Sequence, residues 1–246
     1  MANPSPQKSQ KFALVTGAAK RIGKAIALHL AESGYDIGIH FSNSKEAAIQ
    51  TQKEIETIGR KGILLQADLT KPDEITGMYD QLNRAGIELK VLVNSAAIMP
   101  RSDLMKITWQ EWDQVMNANL RSVWLMCQQT AQAMKTGGVI LNISDAGVDL
   151  LWTGYGAYLI SKAGVNELTR IMARKLAPGI RVCGIAPGLL LKSAELTEEE
   201  WDKLAQRVPM RSAGDIQSFL ATIDLLINND YITGEIITLN GGASLG

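Results

Sequence analysis

The sequence is poor in the residues that many metal and nucleophile sites need. Only two histidines and two cysteines occur among 246 residues, so a Ser-His-Asp triad or a multi-histidine metal centre has almost no material, and no metal site is predicted. Cys127 and Cys183 stand far apart inside apolar segments. This placement indicates reduced core thiols in a reducing compartment and argues against a disulfide framework.

Net charge and long apolar runs are also lacking. Twenty-five Lys and Arg residues balance twenty-five Asp and Glu residues, which argues against nucleic acid or an anionic membrane as a partner. No apolar stretch reaches about 18 residues, and the N-terminus lacks an apolar signal core. We therefore expect a cytoplasmic, globular protein that acts on a small molecule.

Short β-type runs alternate with helical patterns along most of the chain. Residues 1–10 are polar and predict a disordered tail, and residues 11–246 are expected to form one domain. Strands separated by helices of ten or more residues imply right-handed βαβ units. The predicted fold class is α/β, a Rossmann-like doubly wound parallel sheet with helices on both faces. Strands are expected at 12–16, 35–41, 62–66, 91–93, 139–143, 181–185 and 236–239. A helix is expected at 72–84, with Pro72 in its first turn, and a long helix at 108–135.

A glycine-containing turn joins the first expected strand to the first expected helix. Its sequence, TGAAKRIG, runs from Thr16 to Gly23. Backbone N–H groups at a helix N-terminus attract an anion, and glycine allows the anion to approach. The turn is therefore typical of a phosphate cradle, although a plain strand-to-helix connection is the alternative.

Tyr158 and Lys162 stand four residues apart in a later helical segment. That spacing places both side chains on one face of a helix. A phenol has a pKa of roughly 10, and an ammonium group beside it favours the phenolate and lowers that pKa. The pair is a candidate for proton transfer, and the alternative is a solvated Tyr and Lys on a surface helix.

Six motifs in this order resemble the short-chain dehydrogenase/reductases, from about Lys11 to the Asn240-Gly241-Gly242 end. They are TGAAKRIG at 16–23, Asp68, Asn-x-Ala at 94–96, Asn119, Tyr-x-x-x-Lys at 158–162 and Ala-Pro-Gly at 186–188. Within that family the chain resembles the pteridine reductases and their bacterial dihydrofolate- or dihydromonapterin-reducing relatives. Arg21 stands where most members carry glycine, and Asp145 stands where most carry serine. Ser144 is adjacent, so a one-residue bulge could restore the serine.

The end of the second expected strand bears on cofactor choice. An NAD-specific site has an acid there that accepts from the ribose and repels a phosphate. This chain has His40, Phe41, Ser42, Asn43 and Ser44 instead. Lys20 and Arg21 would supply cations, and His40 with the polar residues after it would supply hydrogen-bond donors. We therefore predict NADPH over NADH, with a solvated surface cation as the alternative for Arg21.

The resemblance implies a set of catalytic roles. Lys162 would bind the nicotinamide ribose and lower the pKa of Tyr158, which would donate a proton as hydride reaches the adjacent carbon. Asn119 would hold a water that connects the lysine to solvent, or else satisfy a helix kink. Asp145 would orient the substrate or share the proton-donor role, or else cap a loop. The implied cofactor site comprises Gly17, Lys20, Arg21, Ile22, Gly23, His40, Phe41, Ser42, Asn43, Ser44, Asp68, Leu69, Asn94, Ser95, Ala96, Tyr158, Lys162, Pro187 and Gly188.

The substrate is less clearly specified. The residues implied to contact it are Met99, Asp145, Tyr155, Tyr158, Leu189 and Trp201. Residues 187–212 would form a mobile lid with a charged segment from Glu195 to Asp202, or else contain only an amphipathic surface helix. The preferred substrate is a dihydropterin or dihydrofolate, and a generic carbonyl compound or a 3-oxoacyl thioester is the alternative. A NADP(H)-binding sensor without turnover is a further alternative. The family resemblance also implies a homotetramer, or a homodimer.

Overall fold

The computed structural model describes residues 11–193 and 196–245, and its centre is a seven-stranded parallel sheet. The strands are β1 Phe12–Val15, β2 Asp36–Phe41, β3 Gly62–Gln66, β4 Leu89–Asn94, β5 Gly138–Ile143, β6 Ile180–Pro187 and β7 Ile236–Leu239. Their order across the sheet is β3-β2-β1-β4-β5-β6-β7, with every neighbouring pair parallel. The predicted fold class is confirmed. The predicted disordered tail, residues 1–10, lies outside the described residues.

Helices connect the strands and cover the sheet. They are α1 Arg21–Glu32, α2 Lys45–Thr57, α3 Pro72–Arg84, α4 Trp109–Met116, α5 Ser122–Ala133, α6 Gly147–Leu150, α7 Gly156–Leu176, α8 Glu198–Arg207 and α9 Ile216–Asn228. The helix expected at 108–135 is α4 and α5 joined by a π-helical stretch, Asn117–Arg121. The sequence interpretation missed α9, which packs on the sheet through a buried apolar stripe that includes Phe219, Ile223 and Leu226.

Both faces of the sheet are buried, because side chains alternate along each strand. On β1, Ala13 and Val15 join the cluster that includes α1 and α9, whereas Phe12 and Leu14 join the cluster on the opposite face. Layers of helices on both faces explain why the strand sequence is apolar throughout instead of alternating between apolar and polar residues.

The strand order changes direction at β1, which pairs with β2 on one side and β4 on the other. In open parallel sheets, this switch point leaves a crevice at the carboxyl ends of the strands. The turn that follows β1 and the loop that follows β4 border this crevice, so the fold itself places the glycine turn beside Ser95 and Ala96.

Candidate active site

A cavity of about 690 Å³ opens at the carboxyl ends of the strands. Many predicted site residues line it: Gly17, Lys20, Arg21, Ile22, Gly23, His40, Ser42, Asn43, Asp68, Leu69, Ser95, Ala96, Asp145, Tyr158, Lys162 and Pro187. The sequence interpretation missed further lining residues, among them Thr70, Ile98, Gln114 and Ala118. No motif marked them. Thr70 and Ile98 lie in the loops after β3 and β4, Gln114 lies on α4, and Ala118 lies in the π-helical stretch.

The other predicted residues lie outside this lining. For the cofactor they are Phe41, Ser44, Asn94 and Gly188, for the substrate they are Met99, Tyr155, Leu189 and Trp201, and for catalysis Asn119. Asn94 is buried below the cavity, where its amide donates to Asn142 Oδ1 at 2.9 Å and ties β4 to β5. Met99 is 43 % exposed. Of the predicted lid, Ala194 and Glu195 lie outside the described residues.

The glycine turn is built for close backbone approach. Gly17 has a φ of +68°, and a Cβ there would lie 3.1 Å from the Cα of Ala96. A Cβ on Gly23 would meet the carbonyl oxygen of Gly17. Side chains at either position would therefore fill the cradle or open the turn, and both glycines are needed where the sequence predicted them.

His40 supports this turn from below. The Gly17 N–H donates to His40 Nδ1 at 3.1 Å, so Nε2 carries the ring proton and donates to the Ala67 carbonyl at 3.0 Å. Burial lowers the pKa of His40 to about 4, so the ring is neutral near pH 7. Because both ring nitrogens are occupied, the expectation that His40 donates a hydrogen bond to the cofactor is wrong.

Arg21 begins α1 with a φ of +51°, a conformation that non-glycine residues rarely adopt. Its guanidinium donates to the carbonyls of Leu191 at 3.1 Å and Lys192 at 3.3 Å. The side chain thus joins the cavity to the segment after β6. These contacts argue against the alternative of a merely solvated surface cation, and the unusual backbone conformation is typical of functional sites.

Tyr158 points into the cavity from α7 and faces Asp145. Its hydroxyl donates to Asp145 Oδ2 at 2.6 Å, and the Gly147 N–H donates to Asp145 Oδ1 at 2.7 Å. Burial raises the pKa of Tyr158, and the negative charge and hydrogen bond of Asp145 raise it further. The net shift of the Tyr158 pKa is therefore upward, opposite to the expected lowering, because the phenol is buried and faces a carboxylate.

Lys162 lies one helical turn further along α7 and is also buried. Its ammonium donates to the Ile143 carbonyl at 2.7 Å and lies 5.8 Å from the ring centroid of Tyr158. Burial lowers the pKa of Lys162 to about 8, while the charge of Asp145 acts in the opposite direction. The amine therefore lies near the phenol ring and bonds to the end of β5.

Ser144 and Asp145 were open alternatives for the catalytic position, and the geometry distinguishes them. Ser144 Oγ turns away from Tyr158 and donates to the Lys162 carbonyl at 3.4 Å. Asp145 receives the tyrosine hydrogen bond. No bulge brings the serine to the phenol, so Asp145 is the acidic partner.

Asn119 is buried within the π-helical stretch. Its Oδ1 accepts from the Ile98 N–H at 2.9 Å, and its amide donates to the Ile98 carbonyl at 2.8 Å and to Ser161 Oγ at 3.1 Å. These contacts tie the loop after β4 to α7. They favour the structural alternative for the Asn119 side chain, a polar group satisfied at an irregular part of the helix.

Asp68 closes the far end of the cavity. Its Oδ1 accepts from Thr70 N at 2.9 Å and Thr70 Oγ1 at 2.7 Å, and these bonds lower the pKa of Asp68. Arg121 holds the same loop by donating to the Thr70 carbonyl at 2.6 Å. Asp68 thus shapes the loop expected beside the cofactor adenine.

A Cβ on Gly147 would meet both Trp152 and the cavity-lining Asp145, which places Trp152 at the rim of the cavity, next to Tyr155. The ring of Tyr155 makes an edge contact with Trp152 at 6.3 Å between centroids, and the guanidinium of Arg101 lies 5.6 Å from the Tyr155 centroid. Neither Arg101 nor Trp152 was predicted as a site residue.

Within residues 11–193 and 196–245, no helix is both long and apolar enough to cross a membrane.

A family model and curated relatives match nearly the whole chain. A protein-family model described as Enoyl-(Acyl carrier protein) reductase matches residues 17–244. The 3-oxoacyl-[acyl-carrier-protein] reductase FabG of Staphylococcus epidermidis is 34% identical, with 94% of this chain and 98% of that protein covered. The 2-dehydro-3-deoxy-D-gluconate 5-dehydrogenase of Escherichia coli is 32% identical, with 94% of each chain covered.

A solved structure also matches along nearly the whole chain. It is FolM Alternative dihydrofolate reductase 1 from Brucella suis in complex with NADP, with a TM-score of 0.91, 29% identity, and coverage of 98% of this chain and 97% of that one. The prediction of an NADP(H)-type cofactor is confirmed by the family match and by such NADP complexes. The chain belongs to the short-chain dehydrogenase/reductases and is an oxidoreductase of that family.

Proposed function

We propose that this protein is an NADPH-dependent reductase of the pteridine reductase type, with dihydropterin or dihydrofolate as substrate. The observation that carries the proposal is the 2.6 Å hydrogen bond between Tyr158 and Asp145. A phenol coupled to a carboxylate offers two oxygens that can hold or pass one proton, which suits protonation of a ring nitrogen. The solved FolM relative supports the same substrate class.

The preference for NADPH follows from charge around the cavity. The residues after β2 that line it, Ser42 and Asn43, carry no acid. Lys20 and Arg21 line the same cavity and supply cations. Arginine binds a phosphate group through charge-assisted, geometrically specific hydrogen bonds. A 2′-phosphate is therefore attracted by these cations, without the repulsion that an acidic residue at the end of β2 would cause.

The residues present fit a bound dinucleotide, and their roles in the reaction follow. The Gly17 cradle and the α1 N-terminus would hold the diphosphate of the dinucleotide, and Lys162 would hold its nicotinamide ribose. The chemistry that bound NADPH would supply at this site is hydride donation to the reducible carbon. Tyr158 delivers a proton to the adjacent nitrogen or oxygen, so one hydride and one proton are added across the double bond. Asp145 positions the phenol by its hydrogen bond and connects it to the Gly147 N–H.

A carbonyl substrate is a second candidate, and the 34% identity to the FabG relative favours it. In that reaction Tyr158 would protonate the oxygen of a ketone or a 3-oxoacyl thioester. The sensor alternative is disfavoured for two reasons. Tyr158 and Lys162 both line the cavity, and the chain belongs to a family of oxidoreductases.

The test measures the oxidation of NADPH by the fall in its absorbance at about 340 nm, with each member of a panel of possible substrates. The panel comprises a dihydropterin, dihydrofolate, a diketone and acetoacetyl-coenzyme A. Turnover of the pteridines above the other two supports the proposal. Preferential turnover of the thioester transfers the assignment to the second candidate, and tight NADPH binding without any turnover supports the sensor.

We also propose that the protein is cytoplasmic and assembles as a homotetramer or homodimer. Trp124 on α5 and Ile160 and Ile171 on α7 expose large apolar side chains, which a partner copy would cover. Light scattering coupled to size-exclusion chromatography measures the assembly directly. A monomer at micromolar concentration would contradict this proposal.

A further inference from the structure

Beside the cavity, over Tyr155, lies a cation that no described carboxylate neutralises. Arg101 forms no ion pair within residues 11–193 and 196–245, and its guanidinium lies over the Tyr155 ring at 5.6 Å. The nearby cation Lys106 is different, because it pairs with Asp103 at 3.7 Å. Stacking on an aromatic face orients an arginine and leaves its N–H edge available to an anion.

The loop that carries Arg101 is fastened to the start of the catalytic helix. Ser102 N–H donates to the Gly154 carbonyl at 2.9 Å, and the Ala157 N–H donates to Ser102 Oγ at 3.4 Å. Leu104 fills the space beside Gly156, where a Cβ would collide with it. Tyr158 lies one turn further along α7, so the position of Arg101 relative to the phenol is set by packing.

The start of α7 adds to the positive potential at this rim. Its first turn contains no acidic residue, and Tyr155 at the N-cap makes no side-chain capping bond. Ser102 Oγ accepts from the Ala157 N–H, and the other N–H groups of this helix N-terminus favour an anion. Trp152, which is 36 % exposed, and Met99, which follows the cavity-lining Ile98, supply exposed apolar surface nearby. Cation, aromatic rings and apolar surface together suit a flat substrate that ends in a charged tail.

We propose that Arg101 and Tyr155 form an anionic-tail subsite, which binds a carboxylate or phosphate on the part of the substrate that extends out of the cavity. The inference rests on the proposed function and narrows its substrate class. A tailless, neutral pterin would leave Arg101 without a partner. Dihydrofolate brings glutamate carboxylates, and a coenzyme A thioester brings phosphates, so the same recognition chemistry has two sources.

The experiment compares tailed and tailless substrates in two matched pairs. One pair is dihydrofolate and 7,8-dihydropterin, and the other is acetoacetyl-coenzyme A and its short N-acetylcysteamine thioester. Each is assayed with the full-length wild-type protein and with Arg101→Gln, Arg101→Lys and Lys106→Gln. The pair that is turned over identifies the source of the anion.

For the tailed member of that pair, Arg101→Gln is expected to raise KM by about three- to tenfold, the range for loss of a charge-assisted contact at a partly exposed site. Its kcat and the KM of the tailless member stay unchanged. Arg101→Lys retains part of the affinity, and Lys106→Gln behaves like the wild type. Raised salt weakens tailed-substrate binding in the wild type and has little effect in Arg101→Gln.

If Arg101→Gln raised KM equally for tailed and tailless substrates, the proposal would be overturned, since this result would indicate a structural role for the loop. An unchanged KM for the tailed substrate would overturn it as well. If neither pair is reduced, the proposed function fails separately. Dihydrofolate binding to the NADPH complex, followed by tryptophan fluorescence, then decides: weaker binding to Arg101→Gln supports the subsite, and equal binding refutes it.

Discussion

The hydroxyl of Tyr158 donates to Asp145 Oδ2 at 2.6 Å, so the proposed proton donor and a carboxylate share one short hydrogen bond in a buried site. The same carboxylate accepts from the Gly147 N–H at the start of α6. The loop after β5 therefore fixes Asp145, and Asp145 in turn fixes the phenol. This arrangement keeps Tyr158 protonated until a substrate arrives to accept the proton.

Asp145→Asn is expected to slow turnover by roughly 10- to 100-fold while NADPH affinity is retained. The isosteric amide keeps the shape of the Asp145 side chain but removes the negative charge that accepts the hydrogen bond of the Tyr158 hydroxyl. The double variant Asp145→Asn with Tyr158→Phe should be hardly slower than Tyr158→Phe alone, because the two groups act on one proton. Steady-state kinetics measures this, and fully additive losses would show that the residues act independently.

Lys162 predicts a basic limit to activity. The burial that lowers its pKa to about 8 means that the ammonium loses its proton as pH rises through that value. If the charged form holds the nicotinamide ribose, kcat/KM for NADPH should be constant below about pH 7 and decline above about pH 8. A pH–rate profile checks this. A profile that stays flat to about pH 9.5 would exclude a role for the charged amine.

His40 predicts a loss of stability in acid. Its pKa is lowered to about 4 in the folded protein, from about 6.5 in the unfolded chain, so the unfolded state binds more protons between these values. The stabilisation is complete above about pH 6.5 and is lost as pH falls toward 4, with a maximum of about 3 kcal/mol. His40→Asn lacks this titration, so its urea unfolding free energy should depend less on pH over that range. Parallel pH curves for both proteins would contradict the prediction.

Arg21 combines a strained backbone with a cation at the cofactor cavity, and two substitutions separate these properties. Arg21→Ala and Arg21→Gly both remove the guanidinium, so both should lose the preference for NADPH over NADH to a similar extent. Only glycine relieves the φ of +51°. The glycine variant should therefore be more stable than the alanine variant by about 1 kcal/mol. Thermal unfolding and the ratio of kcat/KM with the two cofactors measure the effects, and equal stabilities would refute the strain.

The sequence predicted elements best where local signals were strong. The bounds of β3, α3 and β7 agree with the structure, and α3 has Pro72 in its first turn, a clear start signal. The π-helical stretch Asn117–Arg121 left no such signal, because it depends on Asn119 bonding to the Ile98 backbone far along the chain.

The candidate site was predicted well as a set of motifs and less well as a set of contacts. Gly17, Tyr158 and Lys162 lie at the cavity as expected. The spacing of Tyr158 and Lys162 predicted that the amine would set the pKa of the phenol, but burial and Asp145 have the largest effects on that pKa. His40 showed a general limit: both of its partners, Gly17 and Ala67, lie more than 20 residues away in sequence, so no local pattern reveals them.

The most direct test of the central claim is a comparison of wild type and Tyr158→Phe, each with NADPH affinity and turnover measured on the same preparation. Tyr158 is proposed to donate the proton that accompanies hydride transfer, and positioned acid catalysis contributes roughly 10² to 10⁴-fold. We expect the variant to bind NADPH within about twofold of the wild-type Kd and to lose at least about 100-fold in kcat with the best substrate. A variant that binds NADPH normally and retains near-full turnover would contradict the account.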